Sequence, residues 1–136
     1  MGFVVDFDAR NSILRITFEG HLTDEVALDC SEALTKYSAS YLPCSSIVDL
    51  SNVSKYDVST GVIRRLAMVP PSPSAAERML VTVAPKDDAY GMSRMFQILT
   101  ESNRPNQRVV RSMDEAFELL GVDSPHFVPL TWTKTG

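Results

Sequence analysis

The residues of this chain that could carry chemistry gather ahead of a single glycine. Ser59 and Thr60 precede Gly61, with Asp57 just upstream. Hydroxyls at the start of a helix suit phosphorylation, because the helix dipole and its free N–H groups accommodate an anion there. A phosphate would add close to two negative charges. The same residues also meet a simpler need, since Asp57 or Ser59 can cap the first helical turn. Asp49, Ser51, Asn52, Tyr56, Asp57 and Gly61 complete a candidate interaction surface around the two hydroxyls. Asp49 and Asp57 without a third ligand specify no metal, and Asx turns in a loop account for them.

Elsewhere the chemistry is sparse. His21 and His126 have no Cys or Asp at ligand spacing, and neither a GxSxG elbow nor an HExxH signature occurs. The chain therefore reads as non-enzymatic and free of cofactors. An enzyme would need a deep cleft where Asp57, Tyr56 and a histidine converge. Met92, Met95, Phe96 and Leu99 mark one helical face. That face packs on a sheet, or Met92, Met95 and Phe96 line a pocket for a small apolar ligand or lipid, for which Met is adaptable. Gly91 in the same helix points to close approach of another backbone or of a ligand. Cys30 and Cys44 lack CxxC spacing and read as core thiols.

These groups must be positioned by one domain, since 136 residues suffice for a real core. Thirteen basic against seventeen acidic residues, net −4, supply no basic face for nucleic acid. No run approaches the roughly 18–20 apolar residues of a membrane span. Residues 1–6 lack the basic, then apolar, order of a signal peptide, so a cytoplasmic location is expected.

Residues 3–7 and 13–20 read as a hairpin, the second strand ended by Gly20. Thr23 caps a helix to about Ser38, with Val26, Cys30, Ala33, Leu34 and Tyr37 as its buried stripe. Residues 46–50 form a short interior parallel strand, and a loop over 52–60 leads to the helix that buries Val62, Ile63 and Leu66. Pro70, Pro71 and Pro73 stop it, as Leu42 and Pro43 stop the first. A strand over 79–84 precedes the Met-rich helix, capped by Asp87 or Asp88. A strand over 108–112 precedes the last helix, which Ser112 caps and Gly121 ends, with Ala116, Phe117, Leu119 and Leu120 inward. The order ββαβαβαβα predicts an α/β fold with a mainly parallel open sheet, one antiparallel edge strand, and helices packed against it. Functional loops belong at the carboxyl ends of such strands. Residues 1–121 form the domain. Residues 122–136 are an irregular tail whose Phe127, Val128, Leu130 and Trp132 cover the domain or a partner chain, a homodimer being one arrangement.

The order ββαβαβαβα and the run IVDLSNVSKYDVSTGVIRRL resemble the STAS fold of anti-sigma-factor antagonists, the SpoIIAA-like proteins. In that family a strand ending Asp-Leu-Ser precedes a loop, and Asp-Ser-Ser-Gly-Leu opens the next helix. The serine before the glycine is phosphorylated by a partner kinase that doubles as the anti-sigma factor. Asp49-Leu50-Ser51 matches, and Asp57 has the expected spacing. The step Asp57-Val58-Ser59-Thr60-Gly61 is one residue longer than the pattern. Alignment on Asp57 makes Ser59 the acceptor, and alignment on Gly61 makes it Thr60. Residues 80–85, 90–96 and 109–116 also look like uncharacterised bacterial STAS-like proteins. The resemblance implies a regulatory domain that binds a kinase or anti-sigma-like protein.

Overall fold

The computed structural model describes residues 2–41, 44–70 and 78–130. The helix stops expected at Leu42, Pro43, Pro71 and Pro73, and Trp132 of the tail, lie outside these residues. Strands β1 (Phe3–Asp8) and β2 (Ile13–Thr23) form the expected hairpin, Phe3 opposite Phe18 and Asp8 opposite Ile13. Asp8 is buried at the turn, where it accepts from Asn11 N at 3.1 Å and Asn11 Nδ2 at 2.7 Å. Ser12 completes the reversal with φ 55°, a left-handed value uncommon outside glycine.

Helix α1 (Asp24–Tyr41) starts where Thr23 Oγ1 accepts from Val26 N at 3.3 Å, with Asp24 and Glu25 in its first turn. Of the expected stripe it buries Cys30, Ala33 and Tyr37, joined by Ala27, while Val26 and Leu34 are partly buried. It continues past Ser38, because Ser38, Ala39 and Ser40 are helix-compatible and the first proline of the stretch is Pro43. Strand β3 (Ser45–Asp57) lies parallel between β2 and β4 (Leu80–Val83), and β5 (Gln107–Val110) adds to β4 in parallel.

Two expectations are corrected here. The 52–60 stretch is not a loop: β3 continues to Asp57, paired with a β2 that continues to Thr23. Only this pair extends so far, because β1 stops pairing at Phe18 and β4 at Asp49. Gly20 does not end β2. With φ +72° it lies beside register shifts at Thr17/Glu19 and Gly20/His21, the place where a bulge needs a residue that tolerates positive φ. On the flank of β3 left open by β4, Lys86 Nζ donates to the Val53 carbonyl at 2.7 Å.

The second correction concerns the sheet edge. The order is β5-β4-β3-β2-β1-β6, where β6 (Val128–Leu130) pairs antiparallel with β1. The hairpin strand β1 is therefore interior, and the expected irregular tail supplies the edge. Pro129 lacks an N–H, which an edge strand tolerates and an interior strand does not. Phe127 stacks on Phe117 at 6.3 Å and lies 3.9 Å under the Arg15 guanidinium, itself bonded to Asp6 at 3.0 and 2.6 Å.

One face of the sheet packs against α1, α2 (Thr60–Ala67) and α3 (Asp87–Thr100). The other packs against α4 (Met113–Leu120), around Ile13, Ile47, Val81, Val83 and Ala116. The alternation of Ile47 with Ser46 and Val48 follows from the two-residue period of a strand with both faces covered. In α4, Ser112 Oγ accepts from Glu115 N at 3.2 Å and Gly121 ends the helix at φ 68°. Leu119 does not point inward as expected; it is exposed. Leu99 is likewise exposed, since the buried line of α3 runs through Ala89 and Thr100. The N-cap of α3 is Lys86, with Asp87 and Asp88 in the first turn rather than at the cap. Among the described residues no helix is long and apolar enough to cross a membrane.

Candidate functional site

The strand-to-helix junction places Ser59 and Thr60 on the surface, both exposed. Ser59 is the N-cap of α2: its Oγ accepts from Val62 N at 3.2 Å. Its own N–H donates to Asp24 Oδ1 at 2.7 Å, tying the junction to the start of α1. Thr60 is the first residue of α2, and Gly61 follows it exposed. The simple capping role is thus filled by Ser59 and not by Asp57. Asp57 Oδ2 instead meets His21 Nε2 at 3.1 Å across the β2–β3 ribbon, with both side chains about half exposed.

A shallow recess beside the junction is bounded by Thr23, Asp24, Glu25, Asp57, Val58 and Ser59. Three carboxylates, Asp24, Glu25 and Asp57, therefore share this recess with Ser59. A phosphate there would face like charge and break the cap, so it would loosen α2 rather than reinforce it. Ser59→Ala is expected to lower stability by about 1 kcal/mol in urea titration, whereas Thr60→Ala should stay within about 0.5 kcal/mol. Equal effects of the two changes would contradict this assignment of the cap.

The expected cluster of Asp49, Ser51 and Asp57 does not assemble. Eight steps of extended strand separate Asp49 from Asp57, about 26 Å at ~3.3 Å per residue. Asp49 is buried in the sheet between Thr17 and Val83, where its Oδ1 accepts from Ser51 N at 2.9 Å. Ser51 and Asn52 are exposed on the ribbon. Tyr56 turns to the helix side of the sheet, away from the Asp57 recess, so Tyr56, Asp57 and a histidine do not share a cleft. Among the described residues no group of three His, Cys, Asp or Glu side chains could hold a metal ion.

A larger and deeper-lined pocket than this recess lies behind the junction. A pocket of about 620 Å³ separates the sheet from its three covering helices. Strands β3 and β4 contribute Ser46, Val48, Leu50, Leu80 and Thr82. Helix α1 contributes Ala27, Cys30, Ser31, Leu34 and Thr35; α2 contributes Ile63 and Leu66. Helix α3 contributes Met92, Ser93 and Phe96. Met95, expected in such a pocket, is absent from its wall and packs within the core cluster. Gly91 is not a point of close approach, because a Cβ built there would meet nothing within 4 Å.

One end of the pocket is closed by Leu22, Tyr56 and Val58, so the ribbon and the junction supply its wall. Burial, then the charges of Asp88 and Asp24, push the Tyr56 phenol up to about 12, and it stays neutral. The opposite end lies at the amino edges of β3, β4 and β5, where Ser46 N donates to Met79 O and Leu80 N to Asn106 O, each at 2.9 Å. Cys44, Arg78, Arg104, Asn106 and Gln107 line that end. Gln107 is buried and donates to Thr100 Oγ1 at 2.7 Å and Arg104 O at 2.9 Å, which fixes the turn carrying Arg104.

Both cysteines are free and buried. Burial pushes Cys30 up to about 12 and raises Cys44, against which Arg78 pulls in the other direction. A neutral buried thiol is a poor nucleophile. Nothing in the sequence distinguishes Arg78 and Arg104 from Arg108 or Arg111; the segment entering β4 and the turn after α3 had to meet before they shared a cavity. The chain matches no protein-family model and no curated protein, so the reading of its function stands on this geometry.

Proposed function

We propose that this protein is a non-enzymatic binding domain whose pocket between the sheet and α1–α3 takes a small apolar ligand or lipid. The pocket itself carries this reading. Protein interiors pack at crystal-like density, with voids seldom larger than a water molecule, whereas about 620 Å³ falls within the range of ligand pockets. Its lining is mainly aliphatic and aromatic on both layers, with scattered hydroxyls and its charged side chains, Arg78 and Arg104, at one end. Native mass spectrometry of the full chain purified from cells tests the reading. A retained lipid or metabolite of one mass is expected. A clean unliganded mass, together with no uptake of added long-chain probes, would overturn it.

A second reading is favoured by the exposure of Ser59 and Thr60 at the strand-to-helix junction. We infer from the STAS resemblance a regulatory protein–protein contact there, with a kinase or anti-sigma-like partner and phosphorylation at one of the two hydroxyls. Incubation with kinases of the anti-sigma class, followed by mapping of phosphate by mass spectrometry, tests this. Modification confined to other residues would sink it and leave the pocket reading untouched.

A further inference from the structure

The charge inside the pocket is one-sided. Arg78 and Arg104 line its polar end, and no aspartate or glutamate lines it among the described residues. Neither arginine forms an ion pair among those residues. The chain as a whole carries net −4, so two guanidiniums without a carboxylate partner among the described residues do not reflect general basicity. Arg104 is held from two sides: Nη2 donates to the Val69 carbonyl at 2.6 Å, and its guanidinium lies 5.6 Å from the Phe96 ring centroid. Its Nη1 is buried and meets no acceptor among the described residues. Burial lowers the Arg104 pKa, yet a guanidinium stays charged in proteins. A buried charged donor without an acceptor is costly, and a ligand oxygen would remove that cost. The far end, at Tyr56 and Val58, offers a neutral phenol and aliphatic surface to a chain terminus.

We propose that the pocket takes a long-chain carboxylate, its head at the end that Arg78 and Arg104 line and its acyl chain along β3 and β4 toward Tyr56. This rests on the ligand-binding reading above and adds the class of ligand. An anionic head supplies Arg104 Nη1 with an acceptor and both arginines with a counter-charge, neither of which the described residues provide, through charge-assisted hydrogen bonds. The tail gains from each methylene it removes from water.

Fluorescence-displacement titration of the full chain with oleate, oleyl alcohol and oleylamine, all below their aggregation concentrations, tests the assignment. Oleate is expected to bind about tenfold tighter than the alcohol, and the amine weakest. Arg104→Gln and Arg78→Gln should each bring oleate toward the alcohol and leave alcohol affinity unchanged. Arg78 is exposed, so its variant decides the matter should loss of the Arg104–Val69 bond disturb folding. Equal binding of oleate and alcohol, or a ratio that neither variant alters, would overturn the anionic head while leaving an apolar pocket in place. Failure of all three probes to bind would overturn the binding reading and this inference with it.

Discussion

Ala27→Phe is expected to weaken binding of a long-chain probe such as oleate by about 100-fold while leaving the protein folded. Ala27 is a buried residue of α1 whose side chain faces the pocket. A phenyl group there occupies space that about four ligand methylenes would otherwise fill. At ~0.8 kcal/mol per buried methylene that is about 3 kcal/mol, or roughly two decades in affinity. The ring would meet Leu and Phe walls inside about 620 Å³, so it fills space rather than forcing a packed core apart. Unfolding in urea should accordingly move to the same or higher midpoint. Unchanged affinity in a stable variant would show that the probe binds elsewhere; loss of folding would show that the space is tighter than its volume suggests.

Asp8→Ala is expected to cost about 3 kcal/mol and to free the strand that closes the sheet. The Asp8 carboxylate is almost fully buried, and besides Asn11 it accepts from His126 N at 3.2 Å. It therefore ties the hairpin turn to the segment that leads into β6. Removing it strands three N–H donors, each bond to a charged group being worth about 1.5–3 kcal/mol and partly recovered through water. Amide exchange at Val128 and Leu130 should rise ahead of global unfolding, because β6 is short and paired on one side only. Burial raises the Asp8 pKa, but the bonds from Asn11 and His126 outweigh it and hold the carboxyl below 3.8. The stabilisation is thus complete above the unfolded value near 3.8 and is lost as pH falls through the lower folded value. Wild-type protein should lose stability below about pH 4 more steeply than Asp8→Asn, in parallel urea titrations. Identical slopes would remove Asp8 from that transition.

The two stretches read least well in the sequence fail for related reasons. Residues 52–57 are rich in Asn, Ser, Lys and Asp, the composition of a loop, yet they are strand. Their backbone is satisfied by β2, a partner distant in sequence; Val53 and Tyr56 face the helices, while Asn52, Ser54, Lys55 and Asp57 face water. Residues 128–130 contain a proline, which argues against an interior strand but is silent about an edge. In both cases a long-range pairing overrides local preference, as strand propensity is largely a matter of neighbours.

By itself the sequence determined the elements that local physics controls. Caps at Thr23 and Ser112, the αL stop at Gly121 and the helical stripe of α1 follow from side-chain hydrogen bonds and a 3.6-residue period, whereas local sequence leaves Asp57 and Ser59 both open as the cap of α2. The alternation of strands and helices determined an α/β sheet with a parallel centre. Only the tertiary structure decided that Asp49 and Asp57 lie apart, that Met92 and Phe96 face a pocket without Met95, and that Arg78 and Arg104 share its polar end. A cavity is a property of the gap between layers. Its size depends on how far α1, α2 and α3 stand from the sheet, which no run of neighbouring residues encodes.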